Sequence, residues 1–335
     1  MTRPGPASGS RRRISRAVAQ TEGVAFAVPS ALARAVEAEP SPRRLRWLAQ
    51  LPDIVTALAE RWDLSVGAPF EPGGQTAWAA PARGRSGRDL VLKVGWAHEE
   101  AEQEADGLRA WRGQGTVLIY DWCRLEQTHA LLLERCSPGS PLSLVAEVEQ
   151  DAVVTNLLAG LWQASMAGLA FRPLQDMCRA WVTGFHRRVA AAPAGVSMID
   201  PGLARAGTEL FVSLAVPTER DVLLCTDLHA GNVLAAKREP WLLIDPKPYF
   251  GDLCYDVLQH MLNCEERLAV DAAGLAQRMA DLLDLDGERV RRWLFARCVI
   301  EGVDDPGCRP SPPPWHRPDS ALPLAAVPCG LRGHR

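Results

Sequence analysis

Between residues 41 and 62 the apolar side chains fall on one face. Leu48, Leu51, Val55, Leu58 and Trp62 recur at the intervals of three and four that mark a helix. Ser41-Pro42 supplies the start signal, a side-chain oxygen for the first amides and a proline that costs nothing in the first turn. Pro52 predicts a division into two helices, because it lacks the N–H that the helical ladder would use there. Such a stripe predicts packing against a neighbouring layer.

Beyond residue 63 the pattern changes to short apolar runs between turn residues. Two strands flank Glu71-Pro72-Gly73-Gly74-Gln75-Thr76, a third covers residues 89–95, and the runs over 116–120 and 129–136 complete a five-stranded sheet. Gly84-Arg85-Ser86-Gly87 reads as a polar turn within it, and Ser137-Pro138-Gly139-Ser140-Pro141 ends it. From Leu142 to Gly302 the period moves toward 3.6. Leu157, Leu158, Leu161, Trp162 and Leu169 predict a helix over residues 156–170, and Leu253, Val257, Leu258, Met261 and Leu262 another over 251–264. A last helix from Gly287 stops at Gly302.

One stretch interrupts this helical half. Apolar residues 222–224 lead into a polar loop, residues 233–236 leave it, and residues 241–244 end abruptly on Asp245. This is a strand, a loop, and a hairpin with Lys237-Arg238-Glu239-Pro240 at its turn. Asp227 and Asn232 share the loop. The hairpin folds Asp245 back toward them, so that a carboxylate and an amide oxygen can share a metal while Asp227 faces an acceptor. A phosphoryl group in transfer needs such oxygen ligands for Mg²⁺ and a carboxylate base for the attacking hydroxyl. Singly, each residue is also an ordinary turn former; the ordered set carries the reading. Protein kinases show a related order, His-Arg-Asp-Leu-x-x-x-Asn followed by Asp-Phe-Gly.

The segments Thr226-Asp227-Leu228-His229-Ala230-Gly231-Asn232-Val233-Leu234 and Trp241-Leu242-Leu243-Ile244-Asp245-Pro246-Lys247-Pro248 resemble the aminoglycoside/hydroxyurea phosphotransferase family, in its streptomycin 6-kinase-like branch. The similarity runs from about Pro29 to about Gly302. It implies an α+β, two-lobed protein-kinase-like fold, with a β-rich N-lobe, a mainly helical C-lobe and ATP in the cleft between them. It also implies Asp227 as catalytic base and Asn232 and Asp245 as Mg²⁺ ligands. Cys225 stands where many kinase-like proteins carry a histidine before the base, a position that a small buried thiol can also buttress.

A kinase needs a phosphate-contacting cation ahead of its catalytic loop. Lys93 is the one lysine inside the apolar run 89–95, where an unpaired ammonium is costly. Glu104, on the helix predicted after it, is the expected partner, with Glu100 the alternative. Gly73 and Gly74 are candidates to cover the triphosphate through backbone amides, although they form no Gly-x-Gly-x-x-Gly motif. Backbone groups from Glu134 to Cys136, at the interlobe hinge, are expected to face the adenine. Between Asp252 and Glu288 nine acidic residues stand against two arginines. That excess makes Glu265, Glu266 and Asp271 candidate contacts for a cationic acceptor such as a guanidinium-bearing aminoglycoside. Asp252 reads as a helix cap, Asp256 as a residue ordering the loop after Asp245, and Lys247 and His229 as neighbours of the phosphate or acceptor.

At 335 residues and 47% hydrophobic composition the chain can bury the cores of two lobes. The predicted division is a basic disordered tail over 1–27, a nucleotide lobe over 28–136, a catalytic and acceptor lobe over 137–303, and a proline-rich disordered tail over 304–335. A net charge of −3 without a basic aromatic face argues against nucleic acid as a partner, and no stretch reads as membrane-spanning. Nine cysteines without zinc-type spacing, and no secretory signal, read as reduced thiols of a cytoplasmic protein. The family implies a helical segment in place of the proline-rich tail, so an altered reading frame or terminus is expected after about Gly302. Competing readings are a nucleotide-binding regulatory protein without turnover, a kinase for hydroxyurea or a sugar-like metabolite, and a protein kinase. No activation segment ending in Ala-Pro-Glu supports the last. Oligomeric state is not legible in the sequence.

Overall fold

The computed structural model describes residues 26–166, 168–191 and 199–302. Helices α1 (Ser30–Ala38) and α2 (Pro42–Trp62) precede an antiparallel sheet of β1 (Leu64–Val66), β2 (Ala77–Gly84), β3 (Asp89–Trp96), β4 (Ile119–Leu125) and β5 (Thr128–Glu134). Strand order is β1-β2-β3-β5-β4, and α3 (Glu104–Trp111) lies between β3 and β4. Alternation along the strands gives the sheet two apolar faces. Trp78, Ala80, Ala82, Leu90, Leu92 and Val94 pack under α1 and α2 through Leu32, Trp47 and Leu51. Leu131 and Leu133, on the other face, meet Ala105 and Leu108 of α3.

Two expectations about this lobe are corrected. Pro52 does not divide α2, which runs unbroken through it. A proline inside a helix costs about 3 kcal/mol, but Trp47, Leu51, Val55 and Leu58 are buried along one stripe, and each such side chain contributes about 1.5–3 kcal/mol. The run over 116–120 is not a strand from its start. Val117 N donates to Leu243 O at 3.1 Å and Leu243 N to Gly115 O at 2.9 Å, so this segment pairs with the second lobe before β4 begins at Ile119.

The second lobe is mainly helical. It comprises α4 (Glu147–Leu161), α5 (Leu174–Ala191), α6 (Pro201–Leu214), α7 (Leu253–Asp256), α8 (Leu258–Leu262), α9 (Glu265–Leu283) and α10 (Gly287–Glu301). Within it β6 (Val222–Leu224) pairs with β9 (Tyr249–Gly251), and β7 (Val233–Ala235) with β8 (Trp241–Leu243). The helix expected over 156–170 begins at Glu147 and ends at Leu161, after which Trp162 turns its indole toward Asp256. The helix expected over 251–264 is two short helices meeting at Val257. One core holds these elements together, with Phe211, Tyr255 and Trp293 in mutual ring contact.

The arginine-rich residues 1–25 and the proline-rich end from residue 303 lie outside the described residues, as does the frame change expected after Gly302. Phe26 and Ala27, which the sequence assigns to the basic tail, are in contact with Trp78: the Phe26 ring stacks on it at 5.4 Å, and the Ala27 carbonyl accepts from its Nε1 at 2.9 Å.

Candidate active site

Residues 225–232 form the loop between β6 and β7. Cys225 anchors its start. Its carbonyl accepts from Asp227 N at 2.7 Å and Lys247 N at 2.9 Å, and its thiol is fully buried. The Asp256 carboxylate, 1% exposed, accepts from the amides of Cys225 at 3.1 Å and Thr226 at 2.6 Å and from Trp162 Nε1 at 3.0 Å. Asp256 therefore orders the loop before Asp227, not the segment after Asp245 that the sequence suggested. Burial, then the neighbouring Asp256 charge, pushes the Cys225 thiol far above its ordinary range, which makes it inert packing.

Thr226 has φ 46°, and its hydroxyl donates to Lys247 O at 2.6 Å. Asp245 has φ 55°, and Ile244 N before it donates to Asn232 O at 2.8 Å. Left-handed backbone costs a non-glycine residue about 1–2 kcal/mol. Here these bonds hold both residues in it, as at sites where strain serves geometry.

The functional side chains converge. Asn232 Nδ2 donates to Asp227 O at 3.1 Å and Oδ2 at 3.3 Å, which leaves its Oδ1 for a cation. Lys247 Nζ lies 3.0 Å from Asp227 Oδ2. Lys93 Nζ lies 2.7 and 2.8 Å from the two Glu104 oxygens and 2.5 Å from Asp245 Oδ1. Strand β3, helix α3 and the hairpin of β7 and β8 thus meet at one ammonium. Helix α3 reaches this close because Gly107, one turn after Glu104, has no side chain to strike Pro248.

Electrostatics separate the three charges. Burial alone would lower the Lys93 pKa, but Asp245 and Glu104 outweigh it and keep the amine protonated. Burial would raise Asp245, but Lys93 and Lys247 outweigh it and hold the carboxyl down at about 2. Burial dominates at Glu104, with repulsion from Asp245 added, and raises it to about 7. Asp245, with a side chain 46% exposed, is thus an ionised carboxylate open to the cleft. It and Asn232 Oδ1 are hard oxygen donors of the kind that could hold Mg²⁺.

Other candidates lie around this centre. Gly73 and Gly74 sit in the connection between β1 and β2, Gly73 with φ 73° and its α-carbon facing Pro29. Glu134 acts through its side chain: its carboxylate accepts from Leu118 N at 3.0 Å and from Arg238, while its amide donates to Leu118 O. With that amide occupied, the hinge amide next in line for a ligand is at Arg135 or Cys136. Burial holds the Cys136 thiol up at about 11.

The acidic excess is largely spent inside the protein. Asp271 Oδ1 accepts from Gly274 N at 2.8 Å and restarts α9 after a kink, so its carboxylate is a cap and not part of an acidic wall. Asp252 caps α7, as its position after Gly251 suggests, and also accepts from Arg289 and Trp293. Asp286 caps α10, and Glu288 pairs with Arg291. Glu265 is half-buried and Glu266 exposed on the first turn of α9. Asp151, which the sequence reading passed over, is the anion buried deepest here: His260, Arg267 and Arg278 all bind it. His229 lies by the loop, its Nδ1 accepting from Gly231 N at 3.1 Å, and burial lowers its pKa.

Comparison with known proteins agrees with this architecture. The profile of the aminoglycoside/hydroxyurea antibiotic resistance kinases matches residues 66–305. The chain is 32% identical over 270 residues to a streptomycin 6-kinase of Streptomyces glaucescens, covering 77% of this chain and 84% of that protein. It is 34% identical over 258 residues to a hydroxyurea phosphotransferase of Kitasatospora aureofaciens, covering 74% and 71%. Among solved structures, an amicoumacin kinase in complex with AMP-PNP and Ca²⁺ superposes with a TM-score of 0.54 at 12% identity, covering 78% of this chain and 87% of that one. A choline kinase from Streptococcus pneumoniae gives 0.53 at 14%, covering 75% and 88%. The structural likenesses show a shared two-lobed, kinase-like fold. The chain belongs to the aminoglycoside/hydroxyurea antibiotic resistance kinases and is a phosphotransferase acting on a hydroxyl group.

Proposed function

We propose that this protein uses Mg²⁺ and ATP to phosphorylate a hydroxyl of an aminoglycoside of the streptomycin type, and so inactivates the antibiotic. The observation that carries the reading is that Lys93 meets Asp245 at 2.5 Å and Asn232 meets Asp227 at 3.1–3.3 Å, while the backbone bond of 2.8 Å from Ile244 N to Asn232 O brings the two pairs side by side. Lys93, steadied by Glu104, holds the phosphates. Asp245 and Asn232 hold Mg²⁺, which supplies charge neutralisation to the transferring group. Asp227 orients the acceptor hydroxyl and takes its proton, with Lys247 holding the carboxylate in place. Gly73 and Gly74 present amides to the triphosphate, and the backbone at Arg135 and Cys136 faces the adenine.

His229 of the loop and Glu265 and Glu266 on the first turn of α9 are the candidate contacts for the acceptor. A small-molecule acceptor, no nucleic acid and a cytoplasmic setting fit the charge and the unpaired thiols among the described residues. Among the described residues no helix is long and apolar enough to cross a membrane. Hydroxyurea is the second acceptor to test, because the hydroxyurea phosphotransferase is as similar to this chain as the streptomycin kinase.

The test is Mg²⁺-dependent ADP release from ATP with streptomycin, other aminoglycosides and hydroxyurea, beside the Asp227→Ala protein. Release that requires streptomycin and vanishes in the variant is the expected result. Release with hydroxyurea alone moves the assignment to that acceptor, and acceptor-independent release that survives the substitution overturns it.

A further inference from the structure

The connection between β1 and β2 is held from outside the cleft at four of five consecutive residues. Glu71 Oε2 accepts from Ser30 N at 3.1 Å. Pro72 O accepts from Ala31 N at 2.9 Å. Gly73 lies so close to Pro29 that a β-carbon on it would stand 2.5 Å from the Pro29 Cβ. Gln75 O accepts from Arg44 Nη2 at 2.9 Å, and Arg44 is a buried residue of α2. The segment that makes the first three contacts is itself pinned by Phe26 on Trp78 and by Ala27 O on the Trp78 indole.

Sheet register shows which side this brace occupies. Lys93 pairs with Ala79, so the two side chains share a face, and Trp78, the next residue, points to the opposite face. Trp78 lies in the core under α1 and α2. The brace is therefore on the far side of the sheet from Lys93 and cannot touch the nucleotide. Its effect on the nucleotide thus passes through the loop and the sheet beneath it, and its contacts come from residues ahead of position 66, where the family match begins.

We propose that residues 26–44 are a brace that sets the 71–75 loop for the triphosphate, with Phe26, Pro29 and Arg44 as positioning residues for ATP. This rests on the nucleotide-binding reading above. A glycine-containing loop of this kind loses conformational freedom when its amides close on phosphate. A loop already fixed from behind has less to lose, and pre-organisation of this sort appears as affinity.

The test compares wild type with Phe26→Ala and Arg44→Ala, with Arg44→Lys as the conservative control. Calorimetry with Mg²⁺·AMP-PNP and KM for ATP and for the acceptor are measured in each. The expected result is roughly 3- to 10-fold weaker AMP-PNP binding and a matching rise in KM for ATP, an unchanged acceptor KM, and partial rescue by lysine. Equal AMP-PNP affinity in folded variants overturns the brace and leaves the kinase reading intact, and so does an equal rise in both KM values. Failure of the wild type itself to bind AMP-PNP overturns the nucleotide reading and the brace with it. Hydrogen exchange on the unsubstituted protein is decisive should the variants not fold: the amides of Ser30 and Ala31, which donate to Glu71 and Pro72, are expected to be slowed without nucleotide, and exchange at the rate of a free segment overturns the proposal.

Discussion

Arg238 and Glu134 join the turn of the Asp245 hairpin to the strand that leads into the hinge. Arg238 Nε lies 3.1 Å from Glu134 Oε1, and Nη2 lies 2.9 Å from Oε2. The same guanidinium donates to Gly113 O at 2.6 Å and to Thr116 O at 2.7 Å. Glu239 beside it accepts from Gly115 N at 3.2 Å. One arginine thus ties the linker after α3, the end of β5 and the hairpin of β7 and β8 into a single body.

Arg238→Ala is expected to remove these bonds and leave the half-buried Glu134 carboxylate with only the Leu118 amide. Losing a charged partner in such a setting costs about 1–3 kcal/mol. Because Asp245 and the hinge are both carried by the tied elements, KM for ATP should rise as well. Urea unfolding with KM measurements checks both, and a variant as stable as wild type with unaltered KM contradicts the role.

At Gly107 two effects oppose each other. Alanine is normally favoured over glycine inside a helix by about 1 kcal/mol, but here the added methyl would meet Pro248 and stand 2.8 Å from the Trp111 ring. Overpacking costs about 1–3 kcal/mol, and the displaced helix carries Glu104. Gly107→Ala should therefore lower the melting temperature and kcat together. A rise in melting temperature would show that propensity wins and that α3 is not tightly seated.

Asp227→Asn keeps the size of the side chain and its bond from Asn232 but removes the proposed base. Loss of general-base catalysis lowers rates by about 10²–10⁴-fold, so kcat should fall by that order while AMP-PNP affinity holds. Cys225, two residues earlier, gives a contrasting outcome: its buried, high-pKa thiol should resist alkylation in the native protein. Rapid labelling of Cys225 at neutral pH would sink the buttress reading.

Why some of this was legible and some not follows from how far apart the partners lie. Asp227, Asn232 and Asp245 sit on one loop and the hairpin that follows, so local pattern alone brings them together. Lys93 stands out because an ammonium inside an apolar strand demands a partner, and Glu104 is one short helix away. Arg238 reads as a plain turn residue because Glu134 is 104 positions distant. Asp256 was assigned to the wrong loop because its amide partners lie 30 and 31 residues back, across the pairing of β6 with β9. Pro52 misled because the local rule was outweighed by a buried stripe that only the folded sheet supplies. The acids of residues 252–288 looked like a surface for a cation because their caps and arginine partners are set by tertiary structure. The one signal available for Asp151 was a carboxylate next to the apolar run Ala152-Val153-Val154.

Asp151 is expected to set the acid limit of stability. It is fully buried, and burial would raise its pKa, but hydrogen bonds from His260, Arg267 and Arg278 outweigh that and hold it far below the usual 3.8. The groups facing it come from α8 and α9, with Glu147 of α4 also 3.7 Å from Arg267 and Cys264 3.8 Å from His260. A carboxyl depressed in the folded state contributes its full stabilisation above the unfolded pKa. As pH falls below about 3.9 the unfolded chain takes up the proton first, so the contribution declines until the folded form is protonated too. Asp151→Asn should cost about 3–5 kcal/mol at pH 7, since Arg267 and Arg278 are left facing a neutral group. It should also flatten the loss of stability below pH 4 relative to wild type. Urea midpoints for both proteins at pH 7, 5, 4 and 3 check the two statements together, and parallel pH profiles would mean that another carboxylate governs acid unfolding.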